Sequence, residues 1–306
     1  MKQASVAKAN PGRRFFGSWV KRRIQTRRFT RSRAANIMYF VLIFSAGLFT
    51  MLPLIYAVVT SFKPLDELLL FPPQFFVRRP TIENYVALPS LLSDQFVPLT
   101  RYLFNSVFVS VITTGLYILI SAMAAFALSK SKLRFRNVLF MIVQFALLFN
   151  AYTLSVPQYL ILSKLHIIDT YLVYIMPQMA TTLGVFLMKQ YIEGYVPDTL
   201  LEAANIDGAG YFRSFFRIVL PIVKPALLTL TLFAFRDIWA LVPQGTIFSE
   251  QLKTLPMIMA QVTAGGIVRS GSAMAVSVIM MIPPVIVYLI SQSNVVEAMS
   301  SAGIKE

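Results

Sequence analysis

The sequence predicts an all-α integral membrane protein with six transmembrane helices, and three observations carry that class. Of 306 residues, 57% are hydrophobic and 13% charged, with a mean hydropathy of +0.67, well outside the mixture of soluble domains. The apolar residues gather in continuous runs of about 20, the length that crosses a hydrocarbon layer of roughly 30 Å. These runs lack the short alternating pattern of barrel strands, so helices satisfy the backbone inside lipid.

The runs fall at about 36 to 61, 104 to 129, 137 to 157, 169 to 190, 222 to 242 and 273 to 291. The domain division that follows is a basic tail over 1–35, one six-helix domain over 36–291 and a second tail over 292–306. The net charge of +15 sits mainly at the ends of apolar runs rather than in a nucleic-acid-binding patch. Lys2, Lys8, Arg13, Arg14, Lys21, Arg22, Arg23, Arg27, Arg28, Arg31 and Arg33 precede the first run with no acid among them, and Lys130, Lys132, Arg134 and Arg136 separate the second from the third. Basic ends stay in the cytoplasm. Both clusters give one topology across a bacterial cell membrane, with the two termini in the cytoplasm and the stretch from 62 to 102 outside. That outer stretch balances Lys63, Arg78, Arg79 and Arg101 with Asp66, Glu67, Glu83 and Asp94, and its prolines indicate a partly helical cap. The first run is too long, and too poorly followed by small residues, for a cleaved signal, so it reads as a retained anchor. The chain has no cysteine and one histidine, His166, so neither thiolate chemistry nor a multi-histidine metal site is expected.

Between the fourth and fifth runs, residues 195–221 are too polar to span and read as two short helices around a turn. Pro197 and Asp198 suit a first helical turn. Leu200, Leu201 and Ala204 make an apolar face, and Asp207-Gly208 supplies a stop at which glycine takes the left-handed conformation. The second helix puts Phe212, Phe215, Phe216 and Val219 on one stripe, and Pro221 ends it. The result is a compact knob at the membrane surface; from spacing alone it is either a lever or an interfacial helix pair that only packs beneath the bundle.

Glu202-Ala-Ala, then Asp207-Gly208-Ala209, then Ile218-Val-Leu-Pro221 resembles the "EAA" coupling signature of ABC importer permeases. Ser61-Phe-Lys-Pro64, Thr81-Ile-Glu-Asn-Tyr85, Asn105-Ser-Val and Ala124-Ala-Phe-Ala-Leu-Ser129 are similar to the carbohydrate branch, in particular to the second permease of maltose-type importers. The likeness runs from about residue 36 onward. It implies the type I importer permease fold, with Glu202, Ala203, Ala204, Asp207 and Gly208 in a coupling helix that docks on a separate ATPase. The implied partners are a second homologous permease, two cytoplasmic ATP-binding subunits, an extracytoplasmic solute-binding protein, membrane lipid and an oligosaccharide. No enzyme activity and no cofactor of its own is implied, since ATP and magnesium are bound by the ATPase subunits; the chain has no phosphate-cradling G-x-x-x-x-G-K-[ST] loop. Trp239-Ala-Leu-Val-Pro243 and the run from Val296 to Lys305 depart from the family pattern, which touches substrate and tail contacts.

Charges inside a span cost roughly 2.5–3.5 kcal/mol each on insertion scales. Arg236 and Asp237 are expected more than halfway across and, as sequence neighbours, poorly placed to neutralise each other, so one or both face the translocation path, the partner permease or the outer surface. Arg236 is compatible with an acidic sugar. Phe235 and Trp239 either stack on sugar rings or pack. Asn150, Tyr152 and Thr153 interrupt the third span, and Gln178, Thr181 and Thr182 the fourth, as path-lining or interhelical groups. Pro283-Pro284 is expected to kink the sixth. The alternatives are an ion-coupled secondary transporter, for which Asp237 is the one carboxylate well inside a span, and a membrane scaffold without cargo.

Overall fold

The computed structural model of the chain describes residues 33–302 other than 94–96, 132, 181 and 244; side chains are described from 34 to 292, with 90–93, 151 and 152 left out. The basic leader, Lys132, Thr181 and the Tyr152 side chain therefore lie outside the described residues. The chain divides into two units, residues 1–54 and 55–306. Helix α1, Arg33–Ser61, runs across that division. Every side chain from 34 to 54 is exposed, which for so apolar a helix requires lipid or another chain as its solvent.

The second unit is built on α4, Leu99–Lys130, which packs against α7 (Leu172–Met179), α8 (Thr182–Tyr195) and α12 (Lys224–Trp239), while α14 (Ser270–Ala302) packs on α12 and on α13 (Leu255–Thr263). In lipid there is little hydrophobic gain from burying one apolar helix on another, so close approach of small residues and interhelical hydrogen bonds must hold the bundle. One face of α4 supplies the close approach, and its Ser106 accepts a hydrogen bond from the start of α13. Ser106, Ser110, Thr113, Thr114, Tyr117, Ser121 and Ala125 recur three or four residues apart and are all buried. Gly184 of α8 lies against this face so closely that a β-carbon there would sit 2.5 Å from Ser121 Oγ and 2.6 Å from the Tyr117 hydroxyl. The larger side chains Phe126, Tyr174, Met188, Ile192, Leu230 and Ile238 fill the core around it.

Among the described residues four helices are long and apolar enough to cross a membrane: Ala34–Ser61, Leu99–Lys130, Leu172–Tyr195 and Ile267–Gln292. A fifth arises if Tyr211–Ile222 and Lys224–Trp239, bent by 81° at their junction, count as one span. The expected third span is broken: α5, Arg136–Ala146, and α6, Ala151–Lys164, are separated by 147–150, and neither is long enough to cross alone. The break falls at Asn150, whose carbonyl accepts the amides of Thr153 and Leu154 at 3.1 and 3.3 Å and so starts α6. The fourth span begins at Leu172 rather than 169. The sixth stays helical through Pro283 and Pro284 and continues to Ala302, so most of the expected tail extends α14.

At the end of the bundle carrying 62–98 and 240–269, polar side chains grip loop backbone. Asn84, on α3 (Glu83–Ser93), donates to the Ser61 and Lys63 carbonyls at 2.9 and 2.7 Å. The hydroxyls of Ser61 and Tyr85 meet at 2.8 Å. A short helix α2, Leu65–Leu68, carries buried Glu67, which accepts the amides of Arg78 and Arg79 at 3.0 and 2.8 Å. Across the bundle, fully buried Asn105 donates to the Gln251 and Lys253 carbonyls, both at 2.8 Å, and accepts from the Tyr171 hydroxyl at 2.7 Å. Ser106 Oγ accepts the Leu255 amide at 2.8 Å. Asp169 accepts the amides of Phe248 and Ser249, each at 2.9 Å, and the Ser249 hydroxyl holds its carboxyl below the usual range. Asn105→Ala leaves the buried Lys253 carbonyl without its partner, and leaves the Gln251 carbonyl and the Tyr171 hydroxyl only their longer contacts with Arg101, at 3.3 and 3.4 Å. It is expected to cost about 2–3 kcal/mol, read as a lowered unfolding temperature of the purified protein in detergent.

Candidate functional site

At the opposite end of the bundle, α8 gives way at Val196-Pro197 to α9, Asp198–Ile206. Pro197 precedes the first turn with extended backbone, where its missing amide costs nothing. The helix stops as the sequence indicates: Gly208 takes φ +79°, its amide donates to the Asn205 carbonyl at 3.1 Å, and the Ala209 amide donates back to Ala204 at 2.8 Å. This paired closure fixes where α9 ends. Ala204 is buried and Leu201 half-buried beneath the helix, whereas Leu200, placed by sequence on the same face, is exposed. Glu202, Ala203, Asn205, Ile206, Asp207 and Gly208 form an exposed ledge. Nothing lies within 4 Å of a β-carbon at Gly208, so the backbone rather than space excludes other residues there. Asp198 is tied to the C-terminal end of α4 by Lys130 at 2.6 Å.

The following segment departs from the expected aromatic stripe. Helix α10, Tyr211–Ser214, passes into a π-helical turn, Phe215–Val219, and then α11, Leu220–Ile222. The wide turn changes the angular step per residue, so positions three, four and seven apart no longer share a side. Phe215 and Val219 are buried, with Phe215 5.5 Å from the ring of Phe126 on α4, while Phe212 and Phe216 are 69% and 50% exposed. Nor does Pro221 end the helix; it falls in the first turn of α11, and the chain turns by 81° after Ile222. A cavity of about 720 Å³ lies between this segment, α9 and the turn after α4, lined by Lys130, Arg136, Asp198, Glu202, Asn205 and Tyr211 among others.

No family model matches the sequence. The sulfoquinovosyl glycerol transport system permease protein SmoH of Agrobacterium fabrum is 31% identical over 264 residues, covering 85% of this chain and 89% of that protein. The chain belongs to the ABC transporter permeases. The arabinooligosaccharides transport system permease protein AraQ of Halalkalibacterium halodurans is 28% identical over 261 residues, 83% of this permease and 90% of that protein. The fold matches a chain of a bacterial ABC transporter involved in the import of the acidic polysaccharide alginate, with a TM-score of 0.70 and 23% identity over 86% of the permease and 98% of that chain.

The path residues expected from sequence do not converge. Arg236 and Asp237 lie in the last turn of α12, and contrary to expectation they pair with each other, Nε and Nη2 of Arg236 at 3.0 and 2.9 Å from Asp237 Oδ1, both exposed. Long side chains bending over the helix end achieve what adjacent backbone directions alone would not. Phe235 and Trp239 are buried and stacked at 5.8 Å, and the Trp239 indole donates to the Met280 carbonyl at 2.9 Å. They hold α12 to α14 and offer no face to a solute within this subunit. Gln178 is half-buried at the end of α7, and Asn150 is exposed at the break before α6. Sequence reasoning passed over Lys189, which pairs with Glu193 at 2.7 Å and lies 3.9 Å over the Phe140 ring, joining α8 to α5; the i, i+4 spacing of opposite charges near a span's end was its signal. A double-mutant cycle of Lys130→Ala and Asp198→Ala on thermal unfolding is expected to give a coupling of up to about 1 kcal/mol, and no coupling would detach α9 from α4.

Proposed function

We propose that this permease pairs with a second, homologous permease to form the path by which an oligosaccharide, delivered by an external solute-binding protein, crosses the cell membrane, with two cytoplasmic ATPase subunits supplying the energy. The α9 end then faces the cytoplasm, which agrees with the basic residues Lys130, Arg134, Arg136, Arg213, Arg217 and Lys224 gathered there. The single observation that carries the reading is the ledge of Glu202, Ala203, Asp207 and Gly208, with Ala204 seated beneath it. A short helix with a fixed end, small exposed residues and an ionic tie to a long span passes a push to the bundle as a body movement.

ATP and magnesium belong to the partner ATPases, and no cofactor is assigned to this chain. The cargo class is supported by the sugars that the relatives' names carry, and the exposed Arg236–Asp237 pair would offer donors and acceptors to a sugar whether neutral or acidic. Phe235 and Trp239 act here as packing groups. Asn150, Tyr152 and Gln178 remain wall residues of the path in this proposal.

Glu202→Lys is expected to weaken ATPase docking by roughly 30-fold or more, as loss of a desolvated interfacial charge does. Gly208→Val is expected to weaken it by straining the positive-φ turn that closes α9, and both are expected to abolish uptake while the permease stays in the membrane. Affinity purification with the ATPase subunit and uptake of labelled oligosaccharides check both. Wild-type docking by the two variants would refute the role of the ledge.

A further inference from the structure

The segment Tyr211–Ile222 has two faces. One carries Ser214, Phe215 and Val219 and is buried against the bundle. The other carries Phe212, Arg213, Phe216 and Arg217, all exposed, with exposed Lys224 one residue beyond the bend. The segment contains no acidic residue. Its direction matters as much as its composition. Helix α12 is the apolar half of a candidate span, and the segment meets it at 81°. When α12 crosses the bilayer, the segment runs close to parallel with the membrane plane, at the level where hydrocarbon gives way to headgroups.

An exposed pair of phenylalanines four residues apart, flanked by a pair of arginines four residues apart, is costly in water and suited to that boundary. Aromatic rings enter the upper acyl region while guanidinium groups reach phosphate oxygens. Arginine is the better donor for this purpose, because its planar fork holds a phosphate by two hydrogen bonds. The element leads directly into the candidate span α12, whereas the ledge assigned to the ATPase lies on α9, before the turn at Gly208, so the two exposed faces belong to different elements.

We propose that Tyr211–Ile222 is an interfacial foot that binds anionic phospholipid through Arg213, Arg217 and Lys224 and inserts Phe212 and Phe216 into the adjacent leaflet. Through Phe215 against Phe126 the foot is joined to α4, so headgroup charge bears on the element that carries the coupling helix.

The chain lacks cysteine, so Phe216→Cys and, as a water-facing reference, Ala203→Cys each take a single nitroxide label in the full-length permease reconstituted in bilayers of phosphatidylcholine with phosphatidylglycerol. The label at 216 is expected to collide with oxygen in preference to an aqueous nickel chelate, and the label at 203 the reverse. Retention of phosphatidylglycerol by the purified permease, measured by native mass spectrometry, is expected to fall roughly 30-fold in Arg213→Gln/Arg217→Gln, each arginine near an anionic surface counting for about fivefold, and to persist in Arg213→Lys/Arg217→Lys. A label at 216 that stays water-accessible in the bilayer, one shielded only when the ATPase subunit is added, or undiminished phosphatidylglycerol retention by the Gln variant would each overturn the proposal.

Discussion

Helices surrounded by lipid gain almost nothing from burying apolar side chains on one another, so what holds this permease together is the close approach of small and hydroxyl-bearing residues along α4. The buried face from Ser106 to Ala125 lets Gly184 of α8 come within a distance that no β-carbon tolerates. Because α4 touches α7, α8 and α12, it is the rod about which the second unit is assembled. Both ends of that rod are fastened. Asn105 and Ser106 hold the loop before α13 at one end, and Lys130 and Phe126 hold α9 and the π turn at the other.

This arrangement gives the proposed coupling a material basis. A force applied to the ledge on α9 meets a helix whose end is closed at Gly208, whose start is tied to Lys130 and whose underside is packed through Leu201 and Ala204. Little of that force is lost in local bending, and α4 delivers it to the far end. There Glu67, Asn84, Asn105 and Asp169 replace water as partners of the loop backbone, so the loops move with the helices they join.

Much of the fold was legible in the sequence because it depends on local chemistry. Four long spans, the α9 start at Pro197 and its stop at Gly208 follow from apolar length and from backbone preferences that act over a few residues. The stretches at 61–64, 81–85 and 105–107, noted only as family resemblance, turn out to be the partners of the loop locks, since Asn84 and Tyr85 meet Ser61. What the sequence did not disclose depends on geometry between elements or on departures from a regular helix. The π turn separates Phe215 from Phe212 and Phe216, a change invisible to counting by three and four. Arg236 and Asp237 lie within three residues of the end of α12, where their side chains reach each other although adjacent backbone directions diverge. The break at 147–150 depends on Asn150 starting a new helix where apolar content alone suggested continuity.

The most direct test concerns stiffness between α9 and α4. Nitroxide labels at Asn205→Cys and Phe135→Cys, both exposed, report the distance between the ledge and the turn after α4 in the assembled transporter by double electron–electron resonance. With and without ATP the account expects one narrow distance that does not change. A distribution that broadens or shifts by several ångströms on ATP binding would show the ledge yielding on its own, and would contradict it.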